Sequence, residues 1–327
     1  MEISRMAFGA NRLVNQVLEV KRGETVLIVT DTDRPRIITE ALTYSAISAG
    51  AEVVVVTMAP QSIGGEEPPA PVAAAMAAAQ VVINQSTQSL THTASVREAM
   101  RHGARVANLR NVTEEMMVTG GITADYQQVK RITEELARLL TAADVIRVTT
   151  PEGTDLTMRA QGRTAIAQTG FVTKPGQLSG LPDGEATLAP LEGATDGVVV
   201  GPYIADRLGL FTDPFRLEIR QGRITEITGG RQAAELRRLL ADHDTAGSNA
   251  ASQFALGTNP AARVMPNTRE VSKRLGTAHF AIGDNITLGG QNQSSFHIDF
   301  VLLNPSVFLD GVCILKDGDY QIALPGC

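Results

Sequence analysis

The chain has no tryptophan, and aromatic residues make up only 4% of its 327 positions, so no aromatic cluster marks out a binding wall. Its two cysteines, Cys313 and Cys327, are too few for a disulfide framework. It lacks any basic block: 29 Lys and Arg stand against 35 Asp and Glu, for a net charge of -6. Nucleic acid is therefore not an expected partner. No apolar run reaches the roughly 20 residues that a membrane span needs, and the Ala-rich stretch 71–80 is too short. The opening Met1-Glu2-Ile3-Ser4-Arg5 has neither the basic start nor the apolar core of a signal peptide. These absences lead to the expectation of a cytoplasmic enzyme with a small-molecule substrate and neither a membrane nor a nucleic-acid partner.

What is present first is alternation. An apolar-periodic stretch at 7–20 precedes Thr25-Val26-Leu27-Ile28-Val29-Thr30, a β-branched run that reads as a buried parallel strand. Helix 35–50 then leads to strand 52–57, helix 71–79 to strand 81–84, and helix 94–102 to strand 105–109. A long amphipathic helix, 127–142, closes this series. Such alternation predicts an α/β fold with an open, mostly parallel sheet covered on both faces. No G-x-G-x-x-G or P-loop motif follows the first strand, so nothing supports a nucleotide cofactor.

Beyond residue 142 the texture changes to short strands, at 145–149, 155–160, 195–200, 215–220 and 223–227, separated by Gly and Pro turns. Gln221-Gly222 is a hairpin signal between two of them. One helix, 231–241, interrupts them. The expected organisation is an α/β domain over 1–142 and a β-rich α+β domain carrying a metal site over 143–327.

The chemistry concentrates near the C-terminus. In Phe296-His297-Ile298-Asp299-Phe300 strand geometry puts His297 and Asp299 on one face and the three apolar residues on the other. A His and an Asp projecting side by side can be two donors of a two-His-one-carboxylate iron site. The plainer alternative is a hydrogen-bonded pair on an exposed face. The Gly-rich loop 288–295 just before it favours the metal reading, because it lets backbone amides come close. His279, in Gly276-Thr277-Ala278-His279-Phe280, is either a core histidine or a ligand. His243, in Asp242-His243-Asp244, is either a solvated helix end or a third ligand. Glu185 alone would be a surface carboxylate. His92 lies just past a parallel strand and at a helix start, where an α/β domain presents acid/base residues.

Several segments together resemble the aminopeptidase T family of metalloenzymes: Leu181-Pro182-Asp183-Gly184-Glu185, Leu256-Gly257-Thr258-Asn259-Pro260, residues 276–283, Gly289-Gly290-Gln291-Asn292 and His297-Ile298-Asp299. The order and spacing match over about the last half of the chain. The resemblance implies a two-metal peptidase centre with Glu185, His279, His297 and Asp299 on matching positions. Two expected ligands are replaced: Gln253 stands where a glutamate belongs and Ile286 where a tyrosine belongs. A neutral amide brings no charge to a cation, and isoleucine cannot ligate at all.

The chain is also similar to the 2,5-dihydroxypyridine 5,6-dioxygenases of the same superfamily, which use one iron. That resemblance implies one Fe(II) per chain on His297, Asp299 and, by spacing, His243. It also implies that His92 takes a proton from a substrate hydroxyl, with His279 and Glu185 positioning substrate or ligands. The expected activity is ring cleavage of a dihydroxylated N-heterocycle by O2, with N-formylmaleamate as product. The alternative is a metallohydrolase, an aminopeptidase or amidase using Zn, Co or Mn at the same residues. Family members form symmetric assemblies, so a homo-oligomer is expected. Whether His243 or His279 is the third ligand stays open at this level.

Overall fold

The structure, a computed structural model, describes residues 2–242 and 251–326. The chain forms two compact units, Met1–Gln127 with Thr169–Asp183, and Gln128–Gln168 with Gly184–Cys327. It thus passes between them at three places, and a single cut after residue 142 does not describe this division.

The first unit is a five-stranded parallel sheet. Its strands lie in the order Glu52–Met58, Thr25–Asp31, Val81–Gln85, Arg105–Asn108 and Leu178–Gly180. The run Val26–Val29 is buried on both faces, as a central parallel strand requires. Helices Arg36–Ser48, Ala70–Ala78 and Ala94–Arg101 connect the strands. The expected N-terminal helix is present, with a tight 3-10 turn at Ile3–Met6 and a wider π-helical turn at Arg12–Val17. The fifth strand was not expected. Leu178-Ser179-Gly180 has no apolar run to announce it, and only pairing with Val106–Asn108 makes it a strand.

The second unit holds two antiparallel sheets. One has eight strands and includes Val145–Thr149, Asp155–Arg159, Thr195–Val200, Phe215–Arg220 and Arg223–Gly229. Its hairpin turns at Gln221 and Gly222, both with positive φ (49° and 68°), as the two-residue type I′ turn demands. The other sheet has seven strands, ordered Gly209–Leu210, Ile204–Ala205, His297–Leu302, Ala278–Gly283, Gln253–Gly257, Glu185–Leu188 and Ile166–Gln168.

A common core lies on one face of the seven-stranded sheet. Ala186, Leu188, Phe254, Leu256, Phe280, Ile282, Ile298 and Phe300 point into it, together with Ile146, Leu156, Val199 and Leu217 from the eight-stranded sheet. Ile132, Leu136 and Leu140, at helical spacing on Tyr126–Ala142, join the same core. Phe280 and Phe300 stack at 5.0 Å on adjacent strands. Each strand therefore spends every second residue on the core, and its remaining residues form the opposite face. Among the described residues no helix is long and apolar enough to cross a membrane.

Candidate metal centre

The face turned away from the core carries the chemistry. Antiparallel register puts paired residues on the same side, so the pairings can be read directly. Gln253 pairs with Ala281, and Ala281 with Asp299; Ala255 sits between Thr187 and His279; Gly257 lies beside Glu185, and Gly283 beside His297. Glu185, Gln253, His279, His297 and Asp299 thus share one face. The residues between them are Ala255, Gly257, Ala281 and Gly283, whose small size leaves room for long polar side chains to meet.

His297 and Asp299 form the first cluster. The His297 Nδ1 lies 2.7 Å from the Asp284 carbonyl oxygen, which can only accept, so this nitrogen carries a proton and donates. The other nitrogen, Nε2, faces Asp299 Oδ1 at 3.1 Å. Phe296, Ile298 and Phe300 anchor the strand from behind, in the alternation the sequence predicts. The pair is partly open, with 32% of the His297 and 21% of the Asp299 side chain exposed.

The charges of this pair reinforce each other. Burial alone would lower the His297 pKa, but the hydrogen bond and charge of Asp299, the Asp284 carbonyl and the charge of Asp206 outweigh it and raise the pKa to about 9. Burial alone would raise the Asp299 pKa; the hydrogen bond from His297 and the nearby His279 and Lys273 hold it well below the ordinary carboxylate range. Without a metal the pair is an imidazolium–carboxylate ion pair.

His279 and Glu185 form the second cluster, which is buried. His279 has 0% exposure. Its Nε2 lies 3.3 Å from Glu185 Oε2 and 3.2 Å from Gln253 Nε2, while its Nδ1 has no hydrogen-bond partner among the described residues. Lys273 donates its ammonium to the same Glu185 oxygen. Burial alone would raise the Glu185 pKa, but Lys273 and His279 together lower it to about 2. Glu185 is therefore not a surface carboxylate but an ionised group in the interior.

His243 falls outside the described residues, just beyond helix Arg231–Ala241. His92 is in the first unit, exposed, after strand Val81–Gln85; it precedes Thr93, whose side chain caps helix Ala94–Arg101. The His92 carbonyl accepts a hydrogen bond from Arg97 at 2.7 Å. Ile286 is 48% exposed in a surface turn, far from any ligand role in its chemistry and its placement. Three amides of the glycine-rich loop are taken by neighbouring side chains: Gln291, Asn292 and Ser294 donate to Glu192, Asn285 and Asp284. The loop thereby fixes Asp284, whose carbonyl orients His297, rather than presenting amides to the pair.

Two residues of the site escaped the sequence reading. Lys273 stands in Ser272-Lys273-Arg274, which reads as an ordinary solvated turn. Asp206 follows strand Ile204–Ala205; its amide donates to the Asp299 carbonyl at 3.1 Å and its carboxylate accepts from Thr268 at 2.6 Å.

The donors can be tested against a metal ion. Two ligand atoms about 2.1 Å from one ion and at right angles are about 3 Å apart. The 3.1 Å between His297 Nε2 and Asp299 Oδ1 meets this condition, and the Asp284 bond on Nδ1 is the outer-shell contact that metal-binding histidines commonly make. These two residues fit two adjacent positions. Among the described residues no three His, Cys, Asp or Glu side chains come together as a complete metal-binding group.

Comparison with known proteins bears on the family and the fold. The model of the family NicX, 2,5-dihydroxypyridine 5,6-dioxygenase, matches residues 10–322. A 2,5-dihydroxypyridine 5,6-dioxygenase of Pseudomonas putida strain KT2440 is 25% identical over 257 residues, 75% of this chain and 72% of that protein. The solved structure of the 2,5-dihydroxypyridine dioxygenase from the same organism superposes with a TM-score of 0.80 over 99% of both chains, at 19% identity. Wild-type AmpT from Thermus thermophilus superposes with a TM-score of 0.71 over 98% of this chain and 99% of its own, at 16% identity. At such identities the superpositions establish the shared α/β fold alone. The family match, in contrast, spans nearly the whole chain, and the protein belongs to the NicX family, 2,5-dihydroxypyridine 5,6-dioxygenase.

Proposed function

We propose that the protein is an Fe(II)-dependent ring-cleaving dioxygenase acting on 2,5-dihydroxypyridine or a closely related dihydroxylated N-heterocycle, with N-formylmaleamate as the product from 2,5-dihydroxypyridine. The observation that carries the reading is the His297–Asp299 pair, with its 3.1 Å separation and its Nδ1 tied to the Asp284 carbonyl. Membership of the NicX family supports the same reading.

Iron held by His297, Asp299 and a third donor, for which His243 is the candidate, would supply the redox chemistry of ring opening and positions for substrate and O2. The chain's own part is orientation and charge. Asp284 holds the His297 ring so that Nε2 points at Asp299. The carboxylate of Asp299 offsets cationic charge, and its backbone is pinned by Asp206. Ala281 and Gly283 leave the floor beside the pair free of bulky side chains, and the partial exposure of the pair lets a ligand reach it. His92, on the first unit, is the proposed acceptor of a proton from a substrate hydroxyl, as the resemblance implies.

Metal analysis of protein purified without oxygen tests the proposal. The expected result is about one iron per chain. Two zinc, cobalt or manganese ions per chain, with release of amino acids from small peptides, would instead indicate a hydrolase.

A further inference from the structure

Lys273 is buried, with 7% exposure, and lysine is almost never buried unless paired. The backbone that carries it is fixed against the end of strand Gln253–Gly257. Its carbonyl accepts from Asn259 N at 2.8 Å. A Cβ on Gly257 would collide with the Arg274 carbonyl and meet Ser272 O at 2.8 Å and Thr277 Oγ1 at 2.7 Å. Only glycine lets this turn lie so close, and the turn delivers the ammonium onto Glu185 Oε2.

What surrounds that ammonium resembles a set of metal donors more than a surface ion pair. Glu185 Oε2 and His279 Nε2 are 3.3 Å apart, close to the spacing of the His297–Asp299 pair. Gln253 stands on the same face and turns its amide nitrogen, a hydrogen-bond donor, towards His279 Nε2 at 3.2 Å. His279 is fully buried and, among the described residues, its side-chain polar partners are Glu185 and Gln253. An ionised carboxylate in the interior needs compensating charge or hydrogen bonds, and among the described residues Lys273 brings an ammonium onto Glu185.

We propose that Lys273 is the resident cation of a second subsite built from Glu185, His279 and Gln253, and that it thereby limits the centre to a single metal ion. The inference rests on the reading of His297 and Asp299 as the metal-binding pair.

The test is a count of bound metal. Metal-free wild type, Lys273→Met and the neutral double variant Glu185→Gln/Lys273→Met are titrated with Co(II), and bound ions are counted after dialysis. The expected counts are about one per chain for wild type, about two for Lys273→Met and about one for the double variant. Folding of Lys273→Met only when Co(II) is present, with two ions bound, also supports the inference. A count of one in folded Lys273→Met overturns it, and so does a count of two in the wild type, which needs no variant to fold. No ion in wild type and one in Lys273→Met would uphold the role of Lys273 while contradicting the metal reading of His297 and Asp299.

Discussion

On one sheet face His297 stands 3.1 Å from Asp299 and His279 stands 3.3 Å from Glu185, yet the two pairs live in different surroundings. The first is partly exposed and, among the described residues, no lysine or arginine side chain is hydrogen-bonded to its carboxylate. The second is sealed in the interior, with the Lys273 ammonium on its carboxylate. Similar donors at similar spacing therefore differ in whether a cation is already built in. On the proposed reading the open pair takes an ion from solution, whereas the closed pair has the Lys273 ammonium on its carboxylate. Composition and spacing alone do not distinguish them, but burial and the third partner do.

The largest expected effect separates the pairs by activity. His297→Ala or Asp299→Ala should lower kcat/KM for ring cleavage by about 1,000-fold or more, whereas His279→Gln should cost about 10- to 100-fold, as outer-shell partners do. Equal losses, read from oxygen uptake, would break the comparison.

Stability should run the other way. Glu185→Ala leaves a buried, unpaired ammonium and should cost about 3–5 kcal/mol in urea unfolding, while the neutral double variant Glu185→Gln/Lys273→Met should recover most of it. The same change at Asp299, in metal-free protein, should cost less because that pair is partly solvated. Gly257→Ala would push away the turn that carries Lys273 and should cost about 1–3 kcal/mol, read as a lower Tm.

The smallest effect is on pH dependence. The folded pKa of His297 is raised to about 9 from the ordinary 6.5, so its ion pair contributes stability that is fully present below pH 6.5 and lost as pH rises through 9. With a third of the His297 side chain exposed, the loss should be on the order of 1 kcal/mol. Thermal unfolding of metal-free wild type should show this decline between pH 6.5 and 9, and Asp299→Asn should flatten it. Glu185, lowered in pKa, contributes stability above its unfolded value and loses it only as pH falls towards about 2, so this carboxylate should add nothing to the alkaline slope.

Much of this was legible in the residues. The Val-rich runs at 25–30 and 81–84 are buried on the central strands of the parallel sheet, and the alternation from Phe296 to Phe300 placed His297 and Asp299 on the polar face. Gln221-Gly222 marked its hairpin. The strand Leu178–Gly180 was not legible, because three residues without an apolar pattern become a strand only through a partner distant in sequence. Lys273 was hidden for a related reason. A lysine is buried by what the fold brings to it, here Glu185, 88 residues away. A faint trace of the polar face does exist in sequence: Ala255, Gly257, Ala281 and Gly283 put small residues at every second position beside the ionisable ones.

The most direct test of the central claim is oxygen consumption by Fe(II)-loaded protein given 2,5-dihydroxypyridine. The account predicts uptake in step with loss of the ring, abolished in Asp299→Ala. Absence of uptake by correctly folded, iron-loaded wild type, or undiminished uptake by Asp299→Ala, would contradict it.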